Sequence, residues 1–144
     1  MMRIRIKRID GGMFPKKMSD GAVGFDIFAR LDSPIELASG ERAIVPAGFS
    51  IEVPSGFEAQ IRPRSGLSAR YGLTMLNSPG TIDPDYRGEV KVILCNLGEQ
   101  PITIENGDRI AQMVICPVAK PELIESSELT ETKRGYSGFG STGK

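Results

Sequence analysis

The strongest constraint on the fold is a repeated pattern in which short apolar runs alternate residue by residue and then stop at glycine or proline. Ile4/Ile6, Phe49/Ile51/Val53, Phe57/Ala59/Ile61, Val90/Val92/Leu94 and residues 110–115 all carry this period of two. In an extended chain such a period sends successive side chains to opposite faces, so each run reads as a strand. The 17 glycines and 10 prolines punctuate these runs, in Pro-Ser-Gly at 54–56, Ser-Pro-Gly at 78–80 and Leu-Gly-Glu at 97–99. Turn chemistry of this kind bounds strands. Only Ser65 to Tyr71, closed by Gly72, patterns as a helix, and it has room for two turns at most. Many short strands at regular spacing predict an all-β sandwich or barrel.

The 144 residues, 40% of them hydrophobic, suffice for one domain with one core. We expect that core in residues 1–122. Residues 123–133 (LIESSELTETK) are polar without a sustained period and read as a linker. Residues 134–144 (RGYSGFGSTGK) hold four glycines in eleven positions. Glycine is the costliest residue to order, so this arm is expected to be flexible when nothing binds it. A disordered terminus explains such a tail. So does an arm that folds over an anion, and the Arg, the two aromatics and the Ser-Thr pair suit the second reading.

Charge and composition remove several functions. Eighteen Lys+Arg cancel eighteen Asp+Glu, which speaks against generic binding to nucleic acid or a membrane surface. No apolar stretch approaches the ~20 residues of a membrane helix. The start, MMRIRI, lacks the apolar region of a signal peptide, so a cytoplasmic location is expected. Histidine is absent, which excludes Ser-His-Asp and Cys-His schemes and any zinc site needing imidazole. Cys95 and Cys116 lie in apolar runs and read as buried free thiols. Catalysis must then use carboxylates, arginine or lysine, backbone amides, or a metal carried by the substrate.

Four segments hold suitable groups. In PRSGLS, Arg64, Ser65 and Gly66 open the predicted helix, where free N–H groups, a hydroxyl and a guanidinium suit a phosphate. Ser65 serves equally well as a plain N-cap. In NSPGTIDPDYRGE, Asp83 precedes Pro84, so its backbone is held extended and its carboxylate suits a general base. Turn capping accounts for Asp83, Asp85 and Glu89 as readily. In GDRIAQMVI, both faces of the strand are apolar apart from Gln112, which suggests burial in an oligomer interface as well as in the core. In GAVGFDIFA, Asp26 interrupts an apolar run, either as a hydrogen-bonded buried carboxylate or as a water-mediated metal contact.

With RGYSGFGSTG, these segments form five ordered motifs between Gly21 and Gly143, and the chain resembles the homotrimeric dUTPase family. The resemblance implies a jelly-roll-like β subunit in a homotrimer that shares its sites between three subunits. It implies Mg²⁺-dependent hydrolysis of dUTP to dUMP and diphosphate, which lowers dUTP and supplies dUMP for thymidylate synthesis. By the same resemblance Asp83 is the general base and Gln112 holds the α-phosphate and the attacking water. Arg64, Ser65 and Gly66 bind phosphate. Asp26 meets Mg²⁺ through water. Asn77, Thr81, Ile82 and Lys91 receive uracil, and Tyr86 packs under the deoxyribose. Phe139, Gly140, Ser141 and Thr142, with Arg134, close the site. The arm departs from the family at Ser137, where glycine is usual. A dCTP deaminase, alone or combined with diphosphatase activity, and a nucleotide-sensing or protein-binding trimer without catalysis are the alternatives. The tyrosine hairpin and uracil motif argue against the first, and the retained carboxylates and full arm against the second.

Overall fold

The computed structural model describes residues 2–138. Its elements in chain order are β1 (Arg5–Arg8), β2 (Phe25–Phe28), β3 (Ile35–Leu37), β4 (Arg42–Pro46), β5 (Phe49–Glu52), β6 (Phe57–Arg62), α1 (Ser65–Tyr71), β7 (Leu73–Met75), β8 (Gly80–Ile82), β9 (Lys91–Asn96), β10 (Ile102–Ile104) and β11 (Arg109–Pro117). The alternating runs are strands, and the one helix among the described residues lies where the pattern predicts it. No helix among the described residues is long and apolar enough to cross a membrane.

All strand pairs are antiparallel. A four-stranded sheet has the order β2-β11-β6-β8 and a three-stranded sheet the order β4-β9-β7, with β1-β5 and β10-β3 as two-stranded ribbons. Alternation decides which side chains meet. Ile27, Ala59, Ile61, Ile82, Ala111 and Met113 from the larger sheet join Val45, Val92, Leu94, Leu73 and Met75 from the smaller one in a single core. Phe49, wholly buried, is the largest side chain there. Its burial is worth about 1.5–3 kcal/mol, so the core rather than strand propensity holds the sheets together.

Two details fix the frame of the site. Gly72 ends α1 in the left-handed region at φ 70°, its N–H donating to the Ser68 carbonyl at 3.0 Å. A side chain there would run into the backbone of Gly98, so the tight turn from α1 into β7 requires glycine. Asn96, fully buried, donates to the carbonyls of Leu37 (2.9 Å) and Gln100 (2.8 Å) and accepts from the Gly98 N–H (2.9 Å). Its amide thereby ties three segments together without leaving a polar atom unpaired.

One sequence expectation is met in part and another needs correction. The core burial expected of the doubly apolar strand is present, since Ile110, Ala111, Met113 and Val114 are buried within this chain, so its two apolar faces do not by themselves require a second one. β11 is an interior strand between β2 and β6, and a register shift between Arg109 and Ala111 breaks the simple alternation at Ile110. Cys95 is buried as expected, but Cys116 is only half-buried, its sulfur accepting a hydrogen bond from Arg62 Nη2 at 3.6 Å.

Candidate active site

The sheet brings three distant residues into one row. Asp26 on β2 pairs directly with Gln112 on β11, which pairs on its other side with Arg62 on β6. The Asp26 backbone is held from the opposite side as well, by a two-way bridge to Lys16 (2.8 and 3.1 Å). β6 then delivers the chain to α1, where Arg64 is the N-cap residue in extended conformation (φ −90°, ψ 124°) and makes no side-chain cap. Ser65 is therefore the first helical residue and not the N-cap.

Asp26 Oδ2 lies 3.2 Å from Arg109 Nη1 and 3.6 Å from Arg64 Nε, and the Asp26 side chain is only 15% exposed. Arg64 Nη1 donates to the Arg109 carbonyl at 3.0 Å. One carboxylate facing two guanidiniums leaves a net positive charge in a half-buried setting, which suits a polyphosphate. Gln112 Nε2 donates to the Pro63 carbonyl at 3.2 Å, and Oε1 lies close to Gly24. Ser65 and Gly66 are exposed beside this cluster. Gly66 has no positive φ, and a methyl group there would meet nothing within 4 Å, so packing within the chain does not demand glycine at that position.

The second group is the loop from β8 to β9, read from the sequence as a hairpin and called so below, although β8 pairs with β6 and β9 with β4 and β7, so that the loop crosses between two sheets. Thr81, Ile82, Asp83, Tyr86, Glu89, Val90 and Lys91 line one cleft of about 200 Å³. Its floor is apolar, from Ile82 and Val90, and its rim carries the exposed Asp83 carboxylate and the half-exposed Tyr86 ring. The turn is closed by the Tyr86 N–H donating to the Asp83 carbonyl at 3.2 Å, and by Arg87 Nη1 donating to the carbonyls of Pro84 (2.6 Å) and Tyr86 (3.0 Å). Asn77 is exposed and not part of the cleft lining; a methyl group on Gly80 would lie 3.4 Å from its Nδ2. A further cleft of about 510 Å³ runs along α1 between Arg64, Leu67, Tyr71 and Arg109, and shares no lining residue with the hairpin cleft.

The family model for dUTPase matches residues 11–143. The chain belongs to the dUTPase family. It is 54% identical over 142 residues to a deoxyuridine 5′-triphosphate nucleotidohydrolase of Rhizobium leguminosarum bv. trifolii, covering 97% of this chain and 91% of the relative. It is 51% identical to the enzyme of the same name from Caldanaerobacter subterraneus subsp. tengcongensis, with 97% of each chain covered. Among solved structures, the Staphylococcus bacteriophage 80alpha dUTPase with dUpNHpp superimposes with a TM-score of 0.91 at 25% identity, over the full length of both chains.

Of the residues expected to act in a dUTPase, the fold gathers Asp26, Arg64 and Gln112 in one cluster, and Thr81, Ile82, Asp83, Tyr86 and Lys91 around one cleft. Arg134 is exposed, its Nε donating to the Ser137 carbonyl at 2.8 Å. Phe139, Gly140, Ser141 and Thr142 lie outside the described residues. Arg109 and Arg30 carry no role in the sequence reading, yet Arg109 is the nearer cation to Asp26. The available signal was a rule: a charged residue inside an apolar strand requires a partner.

Proposed function

We propose that this chain hydrolyses Mg²⁺-bound dUTP to dUMP and diphosphate, with the base and sugar in the hairpin cleft and the phosphates at the Asp26–Arg64–Gln112 cluster. The observation that carries the reading is the hairpin cleft. Thr81 and Ile82 of the edge strand β8 and Lys91 of β9 line it, and to their backbones we assign the pyrimidine edge, with the Tyr86 ring to pack under a sugar and the Asp83 carboxylate beside them. Fixed donors discriminate strongly, because a base with the wrong exocyclic group leaves a buried polar atom unpaired. An aromatic ring against the sugar leaves no space for a 2′-hydroxyl.

Asp83 takes a proton from the water that attacks the α-phosphorus, while the bond from that phosphorus to the α–β bridging oxygen breaks and diphosphate departs. Gln112 orients the water and the α-phosphate. Arg64, Ser65 and the N–H groups around Gly66 hold phosphate oxygens, and the open space at Gly66 supports close approach from outside. Such chemistry needs positioning and charge neutralisation rather than a covalent intermediate, in keeping with a chain that has no histidine.

The magnesium belongs to the substrate in this scheme. Among the described residues no group of three or more acidic, cysteine or histidine side chains is placed to hold a metal, and Asp26 is already paired with two arginines. These residues do not fit a resident ion. They fit one that arrives on the triphosphate, keeps its waters, one of which Asp26 would meet, and offsets phosphate charge when bound.

The reading extends to a cytoplasmic homotrimer whose residues 134–144 close over the site of another subunit, with Phe139 on uracil and Arg134, Ser141 and Thr142 on the γ-phosphate. Two features support association. The hairpin cleft and the arginine cluster open into separate clefts, and apolar side chains such as Leu76, Leu97 and Val23 stand exposed in the single chain. Product analysis tests the activity. With dUTP the expected products are dUMP and diphosphate, and dCTP is left intact; a deaminated product, or no product, would overturn the reading.

A further inference from the structure

Tyr86 is held by a chain of contacts that begins well outside the cleft. Its hydroxyl donates to the Glu89 carbonyl at 2.9 Å, and its ring lies so close over Gly88 that a methyl group there would run into the hydroxyl and ring carbons. The position of the ring thus follows the position of the Glu89 backbone. That backbone is fixed by its own side chain. Glu89 Oε1 accepts from the Gly48 N–H at 3.1 Å and faces Arg30 Nη1 at 3.7 Å, with side-chain exposures of 19% and 32%.

Both anchors are themselves constrained. Gly48 has φ 73° and its backbone is pressed against Gly12, so its N–H cannot swing away. Arg30 Nε donates to the Asp10 carbonyl at 2.6 Å, which aims the guanidinium at the carboxylate. The adjoining Val90 bonds through its N–H to the Phe49 carbonyl (2.8 Å) and through its carbonyl to the Ala47 N–H (2.9 Å). The hairpin therefore enters the body of the protein at a clamped point, and Tyr86 is hooked to that point.

We propose that Glu89, backed by Arg30, is a positioning residue for sugar selectivity: it fixes the carbonyl to which the Tyr86 hydroxyl is bound, and so removes the slack that would admit a ribose. This rests on the reading of the hairpin cleft as the deoxyribose site. A 2′-hydroxyl adds one oxygen atom to the sugar edge. Excluding it requires a ring that cannot retreat by about 1 Å, the scale on which positioning governs enzyme selectivity and rate. The base edge is read by other groups, the β8 and β9 backbones, which are held by sheet pairing.

The test uses the full chain and its variants Glu89→Ala, Glu89→Gln and Arg30→Met, with kcat/KM measured for dUTP, UTP and dCTP. Glu89→Ala is expected to raise the UTP/dUTP ratio about three- to tenfold, the scale of one or two lost polar contacts. The dCTP/dUTP ratio should stay within about twofold, because the base-reading strands are untouched. Glu89→Gln keeps an acceptor for the Gly48 N–H, and Arg30→Met keeps the carboxylate; each should shift the sugar ratio by about two- to threefold. Combining Glu89→Ala with Tyr86→Phe should add nothing to Tyr86→Phe alone, since both cut the same link.

A second readout does not depend on turnover. The chain has three tyrosines, so ring ¹³C NMR resolves Tyr86 from Tyr71 and Tyr136. Its ring signal should move towards that of a free tyrosine in Glu89→Ala. An unchanged sugar ratio together with an unchanged Tyr86 signal would overturn the proposal, as would sugar and base ratios rising in step, which would mean general loosening. Should Glu89→Ala fail to fold, Arg30→Met decides by the same two criteria. A wild-type chain that does not turn over dUTP would count against the activity, and the ring signal would still report on the clamp.

Discussion

A single methyl group added two residues from Asp26 offers a sharp test of the site. A Cβ built on Gly24 would lie 2.7 Å from Gln112 Oε1 and 3.6 Å from Gln112 Cβ and Cδ. Ordinary contact begins at 3.4 Å, so in Gly24→Ala the amide oxygen must retreat by about 0.7 Å. The carboxamide is anchored at its other end by the bond from Nε2 to the Pro63 carbonyl, already long at 3.2 Å. Retreat therefore breaks that bond or rotates the amide away from the position we assign to the α-phosphate and water. Displacement of a positioning group by about 1 Å can cost ~10²-fold in rate, so kcat for dUTP should fall by about 10- to 100-fold.

Stability should hardly move in the same variant. Losing one neutral hydrogen bond costs about 0.5–1.5 kcal/mol. Replacing glycine by alanine at a position without a positive φ returns about 0.4–1 kcal/mol through the unfolded chain. The two nearly cancel, and Tm should stay within a few degrees. Steady-state hydrolysis and a thermal melt measure both halves. Gln112→Ala supplies the control: the double variant should be no slower than Gln112→Ala alone, because the methyl group acts only through that amide. A Gly24→Ala chain with wild-type kcat, or one that slows Gln112→Ala further, would refute the argument.

Three other outcomes follow from the proposed site. Asp83→Asn should keep the fold and nucleotide binding while slowing single-turnover hydrolysis by roughly 10²–10⁴-fold, the usual worth of a general base; near-wild-type turnover would remove Asp83 from that role. Truncation after Lys133 should leave Tm almost unchanged, since residues 134–137 are exposed and the arm's composition offers little apolar area, while dUTP hydrolysis drops severely with the loss of Arg134, Phe139, Ser141 and Thr142. Light scattering at micromolar concentration should give three times the 15.6 kDa chain mass, and a monomer mass would leave the two half-sites without a means of meeting.

How much of this was legible depended on length scale. β5, β6 and β9 are long enough, at four to six residues, to display a period of two, and α1 carries its own stop signal in Gly72. β3, β7, β8 and β10 have three residues each, fewer than a period needs to repeat, and only pairing partners far along the chain define them. The site follows the same rule. The hairpin is local, so Thr81 to Lys91 could be read as one unit. Arg109 meets Asp26 across 83 positions and Glu89 meets Gly48 across 41, and no local pattern encodes either contact.

The most instructive case is β11. Two apolar faces suggest a partner chain as well as a core, but an interior strand between β2 and β6 buries Ile110, Ala111, Met113 and Val114 within its own chain, and the register shift at Ile110 turns yet another side chain into the core. Burial of β11 is thus silent about association. The case for association comes instead from the substrate's extent. A nucleoside triphosphate has base, sugar and phosphates joined in one molecule, and the groups we assign to it lie at two clefts, one at the hairpin and one along α1 at Arg64 and Arg109, that share no lining residue. Neither group alone can both recognise the nucleoside and neutralise the triphosphate. Bringing the hairpin of one copy to the cluster of another satisfies both requirements with the residues already present, so completion of the site, rather than concealment of an apolar strand, is the physical reason to expect an oligomer.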